Sequence, residues 1–189
     1  MGGAAHGARQ AQDIIGGMKS LALVVCGLWL GALLASWVVA PLNFRMVDRV
    51  LADARPELAQ RLAAVPPEAQ RQVLRLLASE NNRWMFRSWS WAQALVGLLL
   101  LALCWRVPGP ARYVLLAALV IVAAQLAMLR PIVDIGRTID FAPRPLPGDV
   151  ARRFGLLHSA WAVTDLAKAA LVAAAAWLAA RGGPGAGGA

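Results

Sequence analysis

The chain is 189 residues long and 59% hydrophobic, with 19 Lys+Arg against 10 Asp+Glu and a formal net charge of +9. That is one domain's worth of chain, and it is too apolar for an ordinary soluble domain of this size. A basic chain raises nucleic acid as a partner, but here the charges lie between apolar runs and no nucleic-acid motif is visible, so nucleic acid is not expected and membrane topology accounts for the excess better.

Residues 1–17, rich in Gly and Ala, read as a flexible tail. The first apolar run, 18–41, exceeds the ~20 residues a bilayer requires and ends in Val-Val-Ala-Pro41 without a convincing cleavage site, so it reads as a retained transmembrane helix. Within it Gly27, Gly31 and Ala35 recur at spacings of four, a small-residue face against which a neighbouring helix packs closely. Packing inside the chain is preferred to dimerisation, because the chain supplies its own neighbours. Pro41 is the structural stop of this span.

The segment 42–87 is the largest polar stretch and carries eight arginines up to Arg87. Leu58, Leu62 and Val65 share a helical face before Pro66-Pro67; Val73, Leu74, Leu76 and Leu77 give a second apolar stripe. Two short amphipathic helices are expected, lying on the membrane surface, over the end of the bundle, or as a solvated hairpin. The second span, about 88–106, has Trp84, Trp89 and Trp91 at one end and Trp105 at the other, where aromatic belts sit. A Pro/Gly-rich turn leads into the third span, about 112–130, closed by Arg130-Pro131; the short connection predicts antiparallel packing of these two spans. Residues 130–153, with Pro131, Pro143, Pro145 and Pro147, read as an irregular ordered loop. The fourth span covers 154–180, and the Gly-rich end, 181–189, reads as a disordered tail.

The expected fold is therefore an all-α membrane protein: four transmembrane helices in an antiparallel bundle, with short amphipathic helices in the first cytoplasmic loop. The two large loops hold 13 of the Lys/Arg residues, against five (Arg9, Lys19, Arg106, Arg112 and Arg181) in the tails and the short link. The positive-inside bias puts both loops in the cytoplasm and both termini outside.

Measured from the cytoplasmic ends of the four spans, Ser36, Gln93, Gln125 and His158 share a depth of roughly 6–8 Å. Facing inward, they form a polar layer, a satisfied network or a cavity open to the cytoplasm; facing outward, they are interfacial residues near water. Deeper in the last span, Asp165 and Lys168 are three residues apart and form a candidate intramembrane ion pair. The structural reading, a pair that fixes how the last helix docks, is preferred; the functional reading is a proton or ion step through Asp165 and His158. His158, near the cytoplasmic mouth, is the better candidate for function.

Cys26 and Cys104 each lie inside an apolar run and read as small buried hydrophobes; no metal site is expected. GxSxG, HExxH, a Gly-rich phosphate loop and a plausibly spaced carboxylate pair are all missing, so no catalytic residue and no cofactor is expected. The only other histidine, His6, lies in the tail, so bis-histidine haem ligation is not expected, and five-coordinate haem on His158 is disfavoured.

Leu28-Trp29-Leu30-Gly31-Ala32 leading to Val38-Val39-Ala40-Pro41 with Phe44, the segment Arg130-Pro131 to Arg137, and Phe154-Gly-Leu-Leu-His158-Ser together resemble the bacterial four-helix membrane family of unknown function related to transmembrane protein 205. Each of these pieces is short, and together they cover less than a fifth of the chain. The resemblance implies four spans, singles out Pro41 and His158, and carries no reaction. The first loop is longer than the family's, and Asp165 stands where an amide is more usual. Two functions remain: a structural, accessory or assembly subunit of a membrane complex, or a small proton- or ion-coupled transporter or permeation protein. The expected partners are the lipid bilayer, other membrane subunits or further copies of the chain, and anionic lipid at the basic loops.

Overall fold

The computed structural model describes residues 3–53, 55–106, 109–142 and 145–181. Among them the chain is all-helical: α1 (Gly3–Ala52), α2 (Pro56–Leu62), α3 (Pro67–Trp105), α4 (Ala111–Asp140) and α5 (Gly148–Arg181). All but α2 are long and apolar enough to cross a membrane.

The helix starts are written in the chain. Pro56 and Pro67 open α2 and α3, where a missing N–H costs nothing. Gly109, at φ +138°, makes the turn into α4 in a backbone region that favours glycine. Gln70 closes the joint between α2 and α3: its Nε2 donates to the carbonyls of Leu62 (2.8 Å) and Val65 (2.7 Å), the first of which also accepts from the Val65 N–H.

Several boundaries differ from the sequence reading. The expected flexible tail is helical from Gly3, because Gly16 and Gly17 each cost a helix only about 1 kcal/mol relative to Ala. Pro41 and Pro131 lie inside α1 and α4 instead of ending them. A proline removes one intrahelical bond, and the rest of each long helix carries through that loss. At Pro41 the packing is visible: Asn82 of α3 donates to the Ala40 carbonyl at 3.0 Å and accepts from Asn43 Nδ2. The polar segment 42–87 therefore holds one free-standing short helix, α2, and its second amphipathic stripe is the first part of α3. The expected loop 130–153 shrinks to the residues between Asp140 and Gly148. Apart from Arg181, which closes α5, the expected C-terminal tail lies outside the described residues.

The chain divides into two compact units, and each of the four long helices contributes one segment to each. The first gathers the described parts of Met1–Leu33, Ser90–Leu126 and Trp161–Ala189. Its core is built from residues three and four apart: Ala22, Cys26, Trp29 and Leu33 in α1; Leu115, Ala118 and Val122 in α4; Val172, Ala175 and Ala179 in α5. That spacing is the one by which nearly parallel helix axes interlock. Gly97 of α3 is the close-approach point, since a Cβ there would stand 2.5 Å from Leu119 Cδ2 and 3.1 Å from Trp29 Cη2.

The second unit, the described parts of Leu34–Trp89 with Ala127–Ala160, contains the 12 described Lys/Arg residues of the two polar segments. Ion pairs tie it together. Arg83 of α3, nearly buried, bonds Glu80 at 2.7 Å and Asp140 of α4 at 2.5 Å. Gly136 makes room for that guanidinium, as a Cβ there would lie 3.3 Å from Arg83 Nη2.

Candidate functional site

The seam of α4 runs Ala111, Leu115, Ala118, Val122, and its next member is Gln125, buried like the others. The seam of α5 runs Trp161, Asp165, Lys168, Val172, and it too interrupts its apolar pattern with polar groups. Both interruptions belong to the first unit, and they meet.

Lys168 is fully buried, with 0% of its surface accessible, and its Nζ donates to Asp165 Oδ1 at 2.7 Å and to Gln125 Oε1 at 2.5 Å. Gln125 Nε2 in turn donates to Asp165 Oδ1 at 2.9 Å and to Thr164 Oγ1 at 3.1 Å. The Thr164 hydroxyl donates back to the Trp161 carbonyl at 2.9 Å. The two charges dictate the amide's orientation: its oxygen faces the ammonium and its NH2 faces the carboxylate. One positive and one negative side chain leave the cluster neutral, and the Gln125 amide makes three hydrogen bonds to α5. Chemically, the arrangement is a charge-assisted clamp between α4 and α5. On the other pair of helices, Trp29 Nε1 of α1 donates to Gln93 Oε1 of α3 at 3.3 Å, both side chains being buried.

The candidate polar layer is therefore divided. Gln125 joins Asp165 and Lys168, Gln93 pairs with Trp29, and Ser36 is buried in the second unit. His158 is exposed and stacks on Phe154, with ring centroids 5.7 Å apart. Of the two readings left open for His158, its exposure fits the outward one, an interfacial residue, and it does not join the Gln125–Asp165–Lys168 cluster. His158 and Asp165 are seven residues apart and only about 20° apart around the helix, so they differ by what stands against each level of α5: Gln125 of α4 meets Asp165. Before Trp161 the seam companion is Leu157; after it the companion moves one residue on, to Asp165 and Val172, so His158 falls outside the seam.

The small-residue face is corrected as well. Gly27, Gly31 and Ala35 are exposed, and a Cβ added at either glycine would meet nothing within 4 Å. The packed face of α1 is the bulkier stripe Ala22, Cys26, Trp29, Leu33, Ser36. A 3–4 spacing could have identified it, whereas a strict spacing of four slowly winds around the helix. Sequence reasoning also missed Trp29, Thr164 and the Arg83–Asp140 pair. Cys26 and Cys104 are free and buried. Among the described residues no group of three or more His, Cys, Asp or Glu side chains is placed to hold a metal.

Comparison of the chain with protein-family models, curated proteins and solved structures finds no match.

Proposed function

We propose that the chain is a multi-pass inner-membrane protein, its four long helices antiparallel and both termini outside the cytoplasm, serving as a structural, accessory or assembly subunit of a membrane complex and carrying no catalytic centre. The observation that carries this reading is the closure of the Gln125–Asp165–Lys168 cluster. An ammonium with no accessible surface, neutralised at 2.7 Å by a carboxylate on the same helix and held by an amide from another, is a lock between helices. A site that loads and releases an ion needs access to its charges from at least one side. The resemblance to the transmembrane protein 205-related family implies the same four-span plan. Helix length agrees: α4, at about 45 Å, outruns a ~30 Å hydrocarbon core, so its Arg130–Asp140 end would stand in the headgroups and water.

Asp165→Asn tests the reading. It removes the negative charge beside Lys168 and is expected to lower the yield of folded chain extracted from membranes. Undiminished yield together with loss of a proton or ion flux that the native chain supports in proteoliposomes would replace the structural role with the transporter reading.

A further inference from the structure

The second unit contains a cavity of about 490 Å³ between the later part of α4 and the first part of α5. That is within the size range of small-molecule sites. Its lining is of two kinds. Arg130 and Arg153 bring guanidinium groups, with Asp134 and Thr138 among the polar neighbours, while Ile135 and Leu157 are apolar. Arg130 meets Asp134 only at 3.8 Å with both side chains largely exposed, a weak pairing that leaves the guanidinium able to take another anion. Arg153 is exposed and makes no ion pair among the described residues. The charged lining is thus two cations against one anion, which suits an anionic guest.

The positions of the two arginines say which kind. Arg130 is the first charge after the uncharged stretch 113–129 of α4, and Arg153 is the last charge before the apolar run of α5 that begins at Phe154. In a chain that spans the bilayer, both mark the level where hydrocarbon gives way to headgroups. A phosphate held there by two guanidiniums would have its acyl chains running along Leu157 towards the apolar parts of the same helices. We propose that this cavity is a seat for one anionic phospholipid, its phosphate bound by Arg130 and Arg153. The site rests on the membrane-spanning reading and adds a ligand to it. Basic pockets between transmembrane helices on the cytoplasmic side suit anionic headgroups, and a zwitterionic lipid would gain less because its own ammonium opposes the guanidiniums.

The test is native mass spectrometry of the full chain in detergent, titrated with phosphatidylglycerol, phosphatidylcholine or inorganic phosphate. One phosphatidylglycerol is expected to bind ahead of all others and to outcompete phosphatidylcholine. Each of Arg130→Gln and Arg153→Gln should weaken it roughly fivefold. Leu157→Trp, which fills the cavity but keeps the charges, should weaken the lipid and leave phosphate unaffected. Equal binding of the two lipids, or an undiminished adduct in the double arginine variant, overturns the proposal; so does inorganic phosphate displacing phosphatidylglycerol at equal concentration, which would assign the cavity to a soluble anion. Should the variants not fold, the native chain decides: phosphatidylglycerol, but not phosphatidylcholine, should protect Arg130 and Arg153 from phenylglyoxal, and a lack of protection rejects the site. A chain recovered in the aqueous fraction without detergent overturns the spanning reading and this site with it. An integral chain that fails the lipid titration overturns this site alone.

Discussion

Lys168 decides most at the level of single residues. Its Nζ is held by Asp165 and Gln125 where no water reaches it, so removing it leaves a buried carboxylate with no cation. Breaking one side of a buried pair costs about 3–5 kcal/mol, whereas replacing both partners by apolar groups is often close to neutral. Lys168→Ala should therefore lower the thermal unfolding midpoint in detergent sharply, and Asp165→Leu with Lys168→Met should recover much of the loss; a single variant as stable as the native chain would show that the pair holds nothing. His158→Ala gives the contrasting case. Its ring is exposed against Phe154, so folded yield and melting should stay within about 0.5 kcal/mol of the native chain. The polarity of Asp165 and Lys168 was visible in the sequence, as was their spacing. That Gln125 completes them was not, because it lies 40 residues from Asp165 in the chain and the contact depends on how α4 and α5 are set against each other.

Between elements, close approach and ion pairing replace the small-residue stripe as the means of packing. Gly97 lets α3 come up to Leu119 and Trp29. A branched side chain there must displace the Leu119 side chain and crowd the Trp29 ring, and overpacking of this kind costs about 1–3 kcal/mol. Gly97→Val should consequently broaden or lower the melting transition, while Gly27→Val, with open space around it, should leave it unchanged. Circular dichroism melts of the two purified variants compare them directly. In the second unit, Arg83 joins α3 to α4 through Asp140 beside Gly136. Arg83→Ala strands a mostly buried carboxylate, with a cost of about 1–3 kcal/mol, and faster amide exchange in the Gly136–Asp140 turn of α4 should report it. The helices themselves were legible as apolar runs. Their ends were not, since Pro41 and Pro131 look like stops along the chain and lie inside α1 and α4, with Asn82 of α3 bonded beside Pro41.

For the whole molecule, the proposed orientation makes its own prediction. With Cys26 and Cys104 replaced by Ala, a single cysteine at Asp53 should react with a membrane-impermeant maleimide only after the inner membrane is opened, and one at Arg181 should react in intact spheroplasts. The reverse pattern would invert the topology, and reaction of both from outside would reject a four-span arrangement. The basis is the concentration of basic residues in the 42–87 and 130–153 segments, which the positive-inside bias assigns to the cytoplasm.

Composition and the placement of apolar runs determined by themselves that this chain is helical and has four segments suited to a membrane, because length and hydrophobicity are local properties that burial in any partner must respect. The polar residues worth attention were also named by the sequence, since a lysine or aspartate in an apolar run is conspicuous wherever it points. Which of them meet was decided by tertiary structure alone. The one-residue shift of the α5 seam near Trp161 brings Asp165 and Lys168 inward and leaves His158 outside, and only the neighbouring helices determine where such a shift falls.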